Sequence, residues 1–517
     1  MFVNAQVYDA GAGLGFSFLT LVKTEIAIDR SGKMSSSKVP FSKIAMTLSL
    51  CAISALNALT LQEGVGEVLS THPIVQERLH NYRATLEDLR TTEAQWLPSL
   101  DYTGNIARER TDNRNTDRES RVLTSYEHSL QLTQNLFNGF GTVYEADYNK
   151  ARILAAANHY IENANDAAYN FINAYINVME AKDLLCIAKA NVDFNEEIYA
   201  KVNKLYQAGM TTRSESEKAD TSLSLAKANY VVAKNNLDDT LYNLERVLGR
   251  PVTAAEVQDE TFSGNMPATL EEMKTYARSH NPSVLVRDYN IKAAKAKKEA
   301  AYKNYYPKID AYARQMWGNH LGGIPDYDER SSIGLTLSYN LYRGGADESQ
   351  IQKNLSQIRQ EGENKRETVR RLDEQGSLSW AAKTYLVEQL EHLKRYEATS
   401  AKTLELYQKE YDLGRRTLLD LLVAQNDYIA AETQIVRAEH DLLFSYYRIL
   451  DAMGSMVQHV LGSKADPYTK VAGLEVLDNR RDNDEHVDNL IFADRQNDPY
   501  KRDSESEDVI LPSVGRQ

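Results

Sequence analysis

The sequence contains few residues that break or cross-link a chain. Its 517 residues include only 2 cysteines, 11 prolines and 25 glycines. Two cysteines, Cys51 and Cys186, are too few for a disulfide framework or a thiolate metal site. The scarcity of proline and glycine argues against a turn-rich sandwich and favours long, uninterrupted helices.

The sequence also lacks an excess of positive charge and the short motifs of catalysis. Lysine and arginine total 60 against 73 acids, a net charge of −13, which argues against nucleic acid as a partner. No nucleophile elbow, HExxH, P-loop or CxxC motif is present. The 10 histidines are scattered without ligand spacing. We therefore expect neither an enzyme, nor a cofactor, nor a metal.

Long hydrophobic runs are confined to the beginning of the chain. From Met34, two lysines precede an apolar run that extends from Ile44 to Leu56, and small residues follow. This order is typical of a secretory signal, and the alternative is a buried helix. We predict a signal peptide at 34–58 that starts at Met34. No later stretch reaches the roughly 20 apolar residues of a transmembrane helix, so a membrane role would require strands.

What the sequence does contain is an internal repeat. The stretches "LFNGFG" (136–141) and "LYRGGA" (341–346) share a pattern, and three glycine pairs share one offset of 205 positions: Gly139 and Gly344, Gly209 and Gly414, Gly249 and Gly454. Two proline pairs further upstream have an offset of 209: Pro73 and Pro282, Pro98 and Pro307. A constant offset indicates a tandem duplication. The repeats span 62–260 and 268–460, and an acidic, polar tail at 462–517 is predicted to be disordered.

Each repeat has the same predicted order of elements. A helix of about 30 residues (62–96; 269–305) stops at "WLP" or "YYP", because proline disfavours helix before it. Two strands follow, then a helix over 142–207 or 346–413, and then a return helix that ends at Gly249 or Gly454. A helix of about 67 residues is roughly 100 Å long. Each chain therefore has two long antiparallel helical hairpins.

The strands are predicted from period-two alternation. In "SIGLTLSYNLY", apolar residues from Ile333 to Leu341 fall on one face and small or polar residues fall on the other. Four such strands cannot close alone, and open edges are not tolerated in lipid. Three copies would supply twelve strands, an even number that suits a closed barrel.

The repeated glycine pattern stands where a strand becomes a helix. We predict Phe137 and Tyr342 at a membrane interface, with Gly139 and Gly344 relieving the bend. The alternative is an ordinary strand-to-helix turn in a soluble protein.

The chain resembles TolC-type outer-membrane channels over nearly all of 62–460. The most specific parts are the duplication, "WLPSLD", "LFNG", "LYRGG" and "YDLGRRTLLDLLVAQNDY" (411–428). The resemblance implies a mainly α fold with a β-barrel part, in which helical hairpins form a periplasmic tunnel and four strands per chain join a trimeric twelve-stranded barrel. It also implies a homotrimer in the Gram-negative outer membrane, whose partners are outer-membrane lipid, a periplasmic adaptor and an inner-membrane pump.

Acidic residues begin both return helices. Glu215 and Asp420 lie six residues beyond Gly209 and Gly414, where a helix cap would be a sufficient role. In a trimer, each acid would form a ring of three carboxylates that attracts cations.

The resemblance adds a gate to this end of the hairpins. It implies that Tyr411 and Arg416 hold the tunnel shut through bonds to Glu215, and that Asp420 matches the first of two entrance aspartates. The second aspartate falls at Val423, so the cation site is predicted to be weaker here.

Two functional classes follow. The first is a passive export duct. The segment "LGRPV" (248–252) and the sequence as a whole resemble type I secretion members of the family, including adhesin exporters. A small-molecule or multidrug efflux duct is its alternative. The second class is a periplasmic coiled-coil scaffold without a pore, which has no use for alternating strands.

Overall fold

Both repeats contain the same order of helices and strands in the computed structural model, which describes residues 59–112, 116 and 118–470. The first repeat contains α1 (Leu61–Thr71), α2 (Pro73–Glu93), β1 (Ser99–Thr111), β2 (Arg121–Asn138), α3 (Gly141–Gln207) and α4 (Arg213–Leu248). The second contains α5 (Leu270–His280), α6 (Pro282–Ala301), β3 (Lys308–Asn319), β4 (Tyr327–Ser338), α7 (Ala346–Asp412) and α8 (Leu418–Met453), followed by α9 (Met456–Leu461) and α10 (Asp466–Thr469). The predicted signal peptide at 34–58 lies outside the described residues.

The helix that opens each repeat is broken, so the prediction of one helix of about 30 residues was wrong. The breaks precede Pro73 and Pro282, and the residues before them, His72 and Asn281, are extended. Proline crowds the residue before it out of the helical conformation, which separates α1 from α2 and α5 from α6. A short 3₁₀ turn follows α2 and α6, and the strands begin directly after the second proline of each repeat.

The long helices begin and end within one residue of their predicted limits. α3 and α7 each contain 67 residues, and α4 and α8 each contain 36. Gly209 and Gly414 follow the long helices with φ of 71° and 70°, a left-handed conformation that only glycine adopts readily. α3 packs along α4, α7 packs along α8, and α6 lies against both α3 and α7. No helix in the described part of the chain is long and apolar enough to cross a membrane.

The four strands form one antiparallel sheet in the order β1-β2-β3-β4. The pairing register places apolar residues of all four strands on one face of the sheet and polar residues on the other. One row across the sheet is apolar: Leu100, Leu132, Ala313 and Ile333. The next row, on the opposite face, is polar: Asp101, Gln131, Arg314 and Ser332. The apolar face is exposed in the protomer, with Leu335 at 69 %.

The main core joins the two repeats through the middle of α3. It combines α1, the centre of α3, the end of α4 and the segment that runs from α8 to α10. Tyr175 of α3 is fully buried and donates its hydroxyl to the carbonyl oxygens of Leu59 and Gln258, at 2.8 and 2.9 Å. The predicted tail boundary at 462 is too early, because Ala465 is buried in this core. Residues 471–517 lie outside the described part of the chain.

Two carboxyl groups that lie close to each other, Asp166 and Asp451, make the fold sensitive to pH. Burial, together with the charge of Asp166, raises the pKa of Asp451 to about 7, and burial with Glu162 raises that of Asp166 to about 6. The Asp451 carboxylate accepts a hydrogen bond from Gln375 at 2.7 Å, and Arg448 opposes the rise. A carboxyl group that binds its proton more tightly when folded favours the folded state at low pH.

We expect the thermal midpoint of the purified protein to fall as pH rises from about 4 to about 7, and to change little from this source above that range. Asp451→Asn removes the proton dependence of this site, so the variant should melt higher than the parent at pH 8 and show a flatter profile. Asp238→Asn, at an exposed position of α4, is the control. Identical profiles in the parent and Asp451→Asn would show that the pair does not control stability.

Candidate functional site

The turns of the two helical hairpins are built alike. Each return helix is capped by a threonine whose hydroxyl accepts from the backbone N–H three residues on: Thr212 accepts from Glu215 and Thr417 accepts from Asp420. Both acids therefore occupy the first turn of a helix, where the helix dipole favours negative charge. Both acids stand at helix N-termini, and Asp420 alone also completes a capping box with its threonine.

The two acids differ in their remaining contacts. The Glu215 carboxylate accepts a hydrogen bond from Thr211. The Asp420 carboxylate accepts from the Thr417 hydroxyl at 2.8 Å and from its backbone N–H at 3.2 Å. These hydrogen bonds, helped by Arg416, hold the pKa of Asp420 below its ordinary value. Asp420 is therefore fully ionised at neutral pH.

An apolar cluster holds the two hairpins together next to their turns. Its buried members come from three helices: Ile198 and Val202 of α3, Ala219 of α4, and Leu418, Leu421 and Leu422 of α8. Aromatic side chains pack around it, including Tyr407 and Tyr411 of α7. Because the cluster draws on both repeats, a movement of one hairpin end disturbs the packing of the other.

Tyr411 lies at the contact between the repeats. Burial, with the negative charges of Glu215 and Asp412, raises the pKa of its hydroxyl. Lys201 of the other repeat lies 5.8 Å from the centre of the Tyr411 ring and pairs with Asp412. In the described protomer, the Tyr411 hydroxyl forms no hydrogen bond with Glu215, whose carboxylate is held by Thr211.

Arg416 makes its contacts within its own hairpin. Its Nε donates to the Glu410 carboxylate at 2.7 Å, and its guanidinium lies 4.2 Å from the centre of the Tyr407 ring. The contact with Glu410 raises the pKa of Arg416 further. In the described protomer, Arg416 is therefore held by Glu410 and Tyr407 rather than by Glu215. Neither partner of Arg416 was identified from the sequence. Glu410 lies six residues before Arg416, on the other side of Gly414, and this spacing could have indicated the pair.

At the other end of the long helices, the first strand-to-helix junction is an aromatic cluster. Phe137, Phe140 and Tyr306 meet edge to face, with ring centres 5.3 to 6.3 Å apart. Gly139 has a φ of 67°, and a Cβ there would lie 2.5 Å from the carbonyl oxygen of Lys303. Gly139 is thus required for the chain reversal and for the approach of the second repeat.

The second junction is more open. Gly344 and Gly345 both have positive φ, with nothing within 4 Å of an added Cβ on either. Tyr342 is 84 % exposed. The equivalent of Gly345 in the first repeat is Phe140, which adopts the same left-handed conformation at φ 63°. Sequence reasoning missed Phe140 because the conformation is rare for a bulky residue.

The sequence of the chain is similar to those of known outer-membrane proteins. The family model described as outer membrane efflux protein matches residues 64–250 and 275–455. The chain is 27% identical over 418 residues to the alkaline protease secretion protein AprF of Pseudomonas aeruginosa, covering 76% of this chain and 84% of the relative. It is 24% identical over 394 residues to the outer membrane efflux protein BepC of Brucella suis, covering 74% and 82% of the two chains.

The fold also matches a solved channel. The Campylobacter jejuni CmeC outer membrane channel superposes with a TM-score of 0.69 at 14% identity, covering 79% of this chain and 89% of that one. The predicted fold class is therefore confirmed. With both repeats matched by the family model, the chain belongs to the outer membrane efflux protein family.

Proposed function

We propose that this outer-membrane protein is the exit duct of a tripartite export system. It works as a homotrimer, receives its substrate from an inner-membrane pump through a periplasmic adaptor, and conducts it passively to the outside. The observation that carries this proposal is the four-stranded sheet with one continuous apolar face, leading directly into two 67-residue helices. The free outer edges of β1 and β4 suit strand pairing between protomers.

The duct and the scaffold without a pore make different predictions on a gel. A closed barrel resists unfolding in detergent, so the unboiled protein should migrate differently from the boiled protein. A helical scaffold should migrate alike in both cases. Identical migration of the boiled and unboiled protein would contradict the proposal that the protein is a duct.

For the cargo, we propose a type I secreted protein. The similarity to a relative named for alkaline protease secretion supports this, and the similarity to a relative named as an efflux protein keeps small-molecule efflux as the alternative. The test is to express the chain in a cell that lacks its own outer-membrane channel, together with either a type I exporter or a multidrug pump. We expect secretion of the exporter's protein to be restored. Restored drug resistance without secretion would favour the alternative.

We further propose that the hairpin turns form the periplasmic gate. In a trimer, Asp420 forms a ring of three carboxylates at the entrance, and Arg416 lies beside it. The apolar cluster under the turns supports the closed packing of both repeats.

We expect Asp420→Ala to lower the cation-to-anion permeability ratio in planar bilayers, because three negative charges leave the entrance. The cap lies at an exposed helix end away from the main core, so its loss is local and the trimer should persist. Asp420→Asn removes the charge but retains a capping oxygen, and should give the same change in selectivity. Asp238→Asn is the control. Unchanged selectivity in both Asp420 variants would leave this residue as a helix cap only.

The strand ends at Thr111, Arg121, Asn319 and Tyr327 lie at the far end of the sheet from the long helices, and we propose that the connections at 110–120 and 318–330 face the cell exterior. An epitope tag inserted in either should bind antibody on intact cells. A tag at the hairpin turn between α3 and α4 is the matched control and should bind only after the outer membrane is ruptured. The reverse pattern would refute this topology.

A further inference from the structure

A cleft opens where the sheet of the second repeat joins its helices. We call it the junction cleft. Its side chains are mainly cationic and amide groups: Lys303, Lys308, Arg343, Asn138, Asn304 and Asn340. Cations and amide N–H groups are the donors that bind phosphate oxygens in proteins.

The charges in the junction cleft are only partly balanced. Lys308 pairs with Asp310 at 2.9 Å, and Arg343 pairs with Asp347 at 3.1 Å. Among the residues that the structure describes, Lys303 has no ion-pair partner. Three cations therefore face two carboxylates, which leaves one positive charge for a bound anion.

Two glycines of the first repeat allow Lys303 to lie where it does. A Cβ on Gly139 would lie 2.5 Å from the Lys303 carbonyl oxygen, and one on Gly141 would lie 2.6 Å from its Cδ. The stem of Lys303 is therefore packed against the start of α3. The cleft is thus formed jointly by both repeats.

The duplication supplies an internal comparison. At the offsets of 209 and 205, Lys303, Lys308 and Arg343 correspond to Ala94, Ser99 and Asn138 of the first repeat. The first junction is instead a neutral network, in which the Thr142 hydroxyl accepts from Asn138 at 2.6 Å and donates to Gln95 at 3.2 Å. The first repeat therefore makes the same turn with neutral residues at these three positions, so cations at 303, 308 and 343 are not needed for the turn itself.

Aromatic side chains surround the junction cleft. The cluster of Phe137, Phe140 and Tyr306 borders it, and Tyr306 and Tyr339 are among its lining residues. In membrane proteins, bands of aromatic side chains mark the level of the lipid headgroups. A phosphate is the anionic group of phospholipids at this level.

We propose that the junction cleft binds a phosphate group, supplied by a phospholipid headgroup or by free phosphate. Lys303 provides the unbalanced positive charge. Lys308 and Arg343 each donate some of their N–H groups to the phosphate and keep the others on their carboxylate partners. The amides of Asn304 and Asn138 each donate one N–H within the protein, to Asp347 at 2.8 Å and to Thr142 at 2.6 Å, and each has a second N–H for the phosphate. This inference depends on the outer-membrane location and not on what the channel conducts.

The test uses native mass spectrometry of the full-length protein in detergent, with dioleoylphosphatidylglycerol as the probe. Dioleoylglycerol, which has the same acyl chains and no phosphate, and inorganic phosphate are the comparison probes. The variant Lys303→Ala/Lys308→Ser/Arg343→Asn installs the residues of the first repeat. We expect its dissociation constant for the phospholipid to rise about tenfold or more, because the variant loses all three cations of the cleft.

The control variant Lys218→Ala/Lys234→Ser/Arg371→Asn removes the same charge from exposed positions on α4 and α7 and should bind like the parent. Lys303→Met keeps the packed stem, so it should weaken binding even if the triple variant folds poorly. Displacement of the lipid by inorganic phosphate would identify free phosphate as the source, and no displacement would identify the headgroup. Equal phospholipid affinity in the parent, the triple variant and Lys303→Met, or equally tight binding of dioleoylglycerol, would overturn the site.

Discussion

Replacing Tyr411 by Phe together with Arg416 by Ser will raise the single-channel conductance of the purified protein in planar bilayers several-fold. Arg416 is anchored to Glu410 and Tyr407 at the turn, and Tyr411 packs at the contact between the repeats. Removing both the cation and the hydroxyl loosens the hairpin end while leaving the apolar cluster intact. The expected result is an entrance that no longer closes.

The matched control removes the same two kinds of group, one from an earlier position of α7 and one from the turn. Tyr396→Phe with Arg415→Ser changes one tyrosine of α7 and the arginine next to Arg416, and it should keep the parent conductance. If the Tyr411 and Arg416 variant also conducts like the parent, then the hairpin turns are not the gate. The constriction that limits conductance would then lie elsewhere in the channel.

Placing an arginine on the apolar face of the sheet, as Leu335→Arg, will strongly reduce the amount of assembled trimer in the outer membrane. Leu335 belongs to the apolar alternation from Ile333 to Leu341, and its side chain is exposed in the protomer. A lipid-facing arginine costs up to about 2 to 4 kcal/mol, with the largest cost at the bilayer centre, and each trimer would contain three of them. The measurement is the amount of heat-modifiable trimer in isolated outer membranes.

Thr336→Arg is the control at almost the same depth. Thr336 lies on the polar face and pairs with Asp310 across the sheet, so an arginine there gains an acidic neighbour. We expect near-normal assembly of this variant. Equal loss of trimer in both variants would show that the two faces do not differ in the way the alternation predicts.

The large elements could be predicted from the sequence because their signals are long and repeated. The two long helices had correct limits, since Gly209 and Gly414 end them by the same left-handed turn in both copies. The breaks at Pro73 and Pro282 were missed even though both prolines had been aligned. A proline suits the first position of a helix, and it disfavours helical conformation in the residue before it. It can therefore end one helix and begin the next.

Side-chain partners were harder to predict because they depend on which elements meet. The sequence placed Tyr411, Arg416 and Asp420 at one turn correctly, but it could not show that Glu410 holds Arg416. The aromatic cluster of Phe137, Phe140 and Tyr306 joins residues from both repeats, and no local pattern reports such a contact. Ala465 likewise extended the core beyond the predicted boundary, because burial there depends on α1 and α3.

Native mass spectrometry of the purified chain in detergent tests the central claim most directly. Each protomer supplies four strands with free outer edges, so the account predicts a complex of three chains and no stable smaller species. A stable monomer or dimer that retains the sheet would contradict the account, because four or eight strands could not close the wide pore that an exit duct requires.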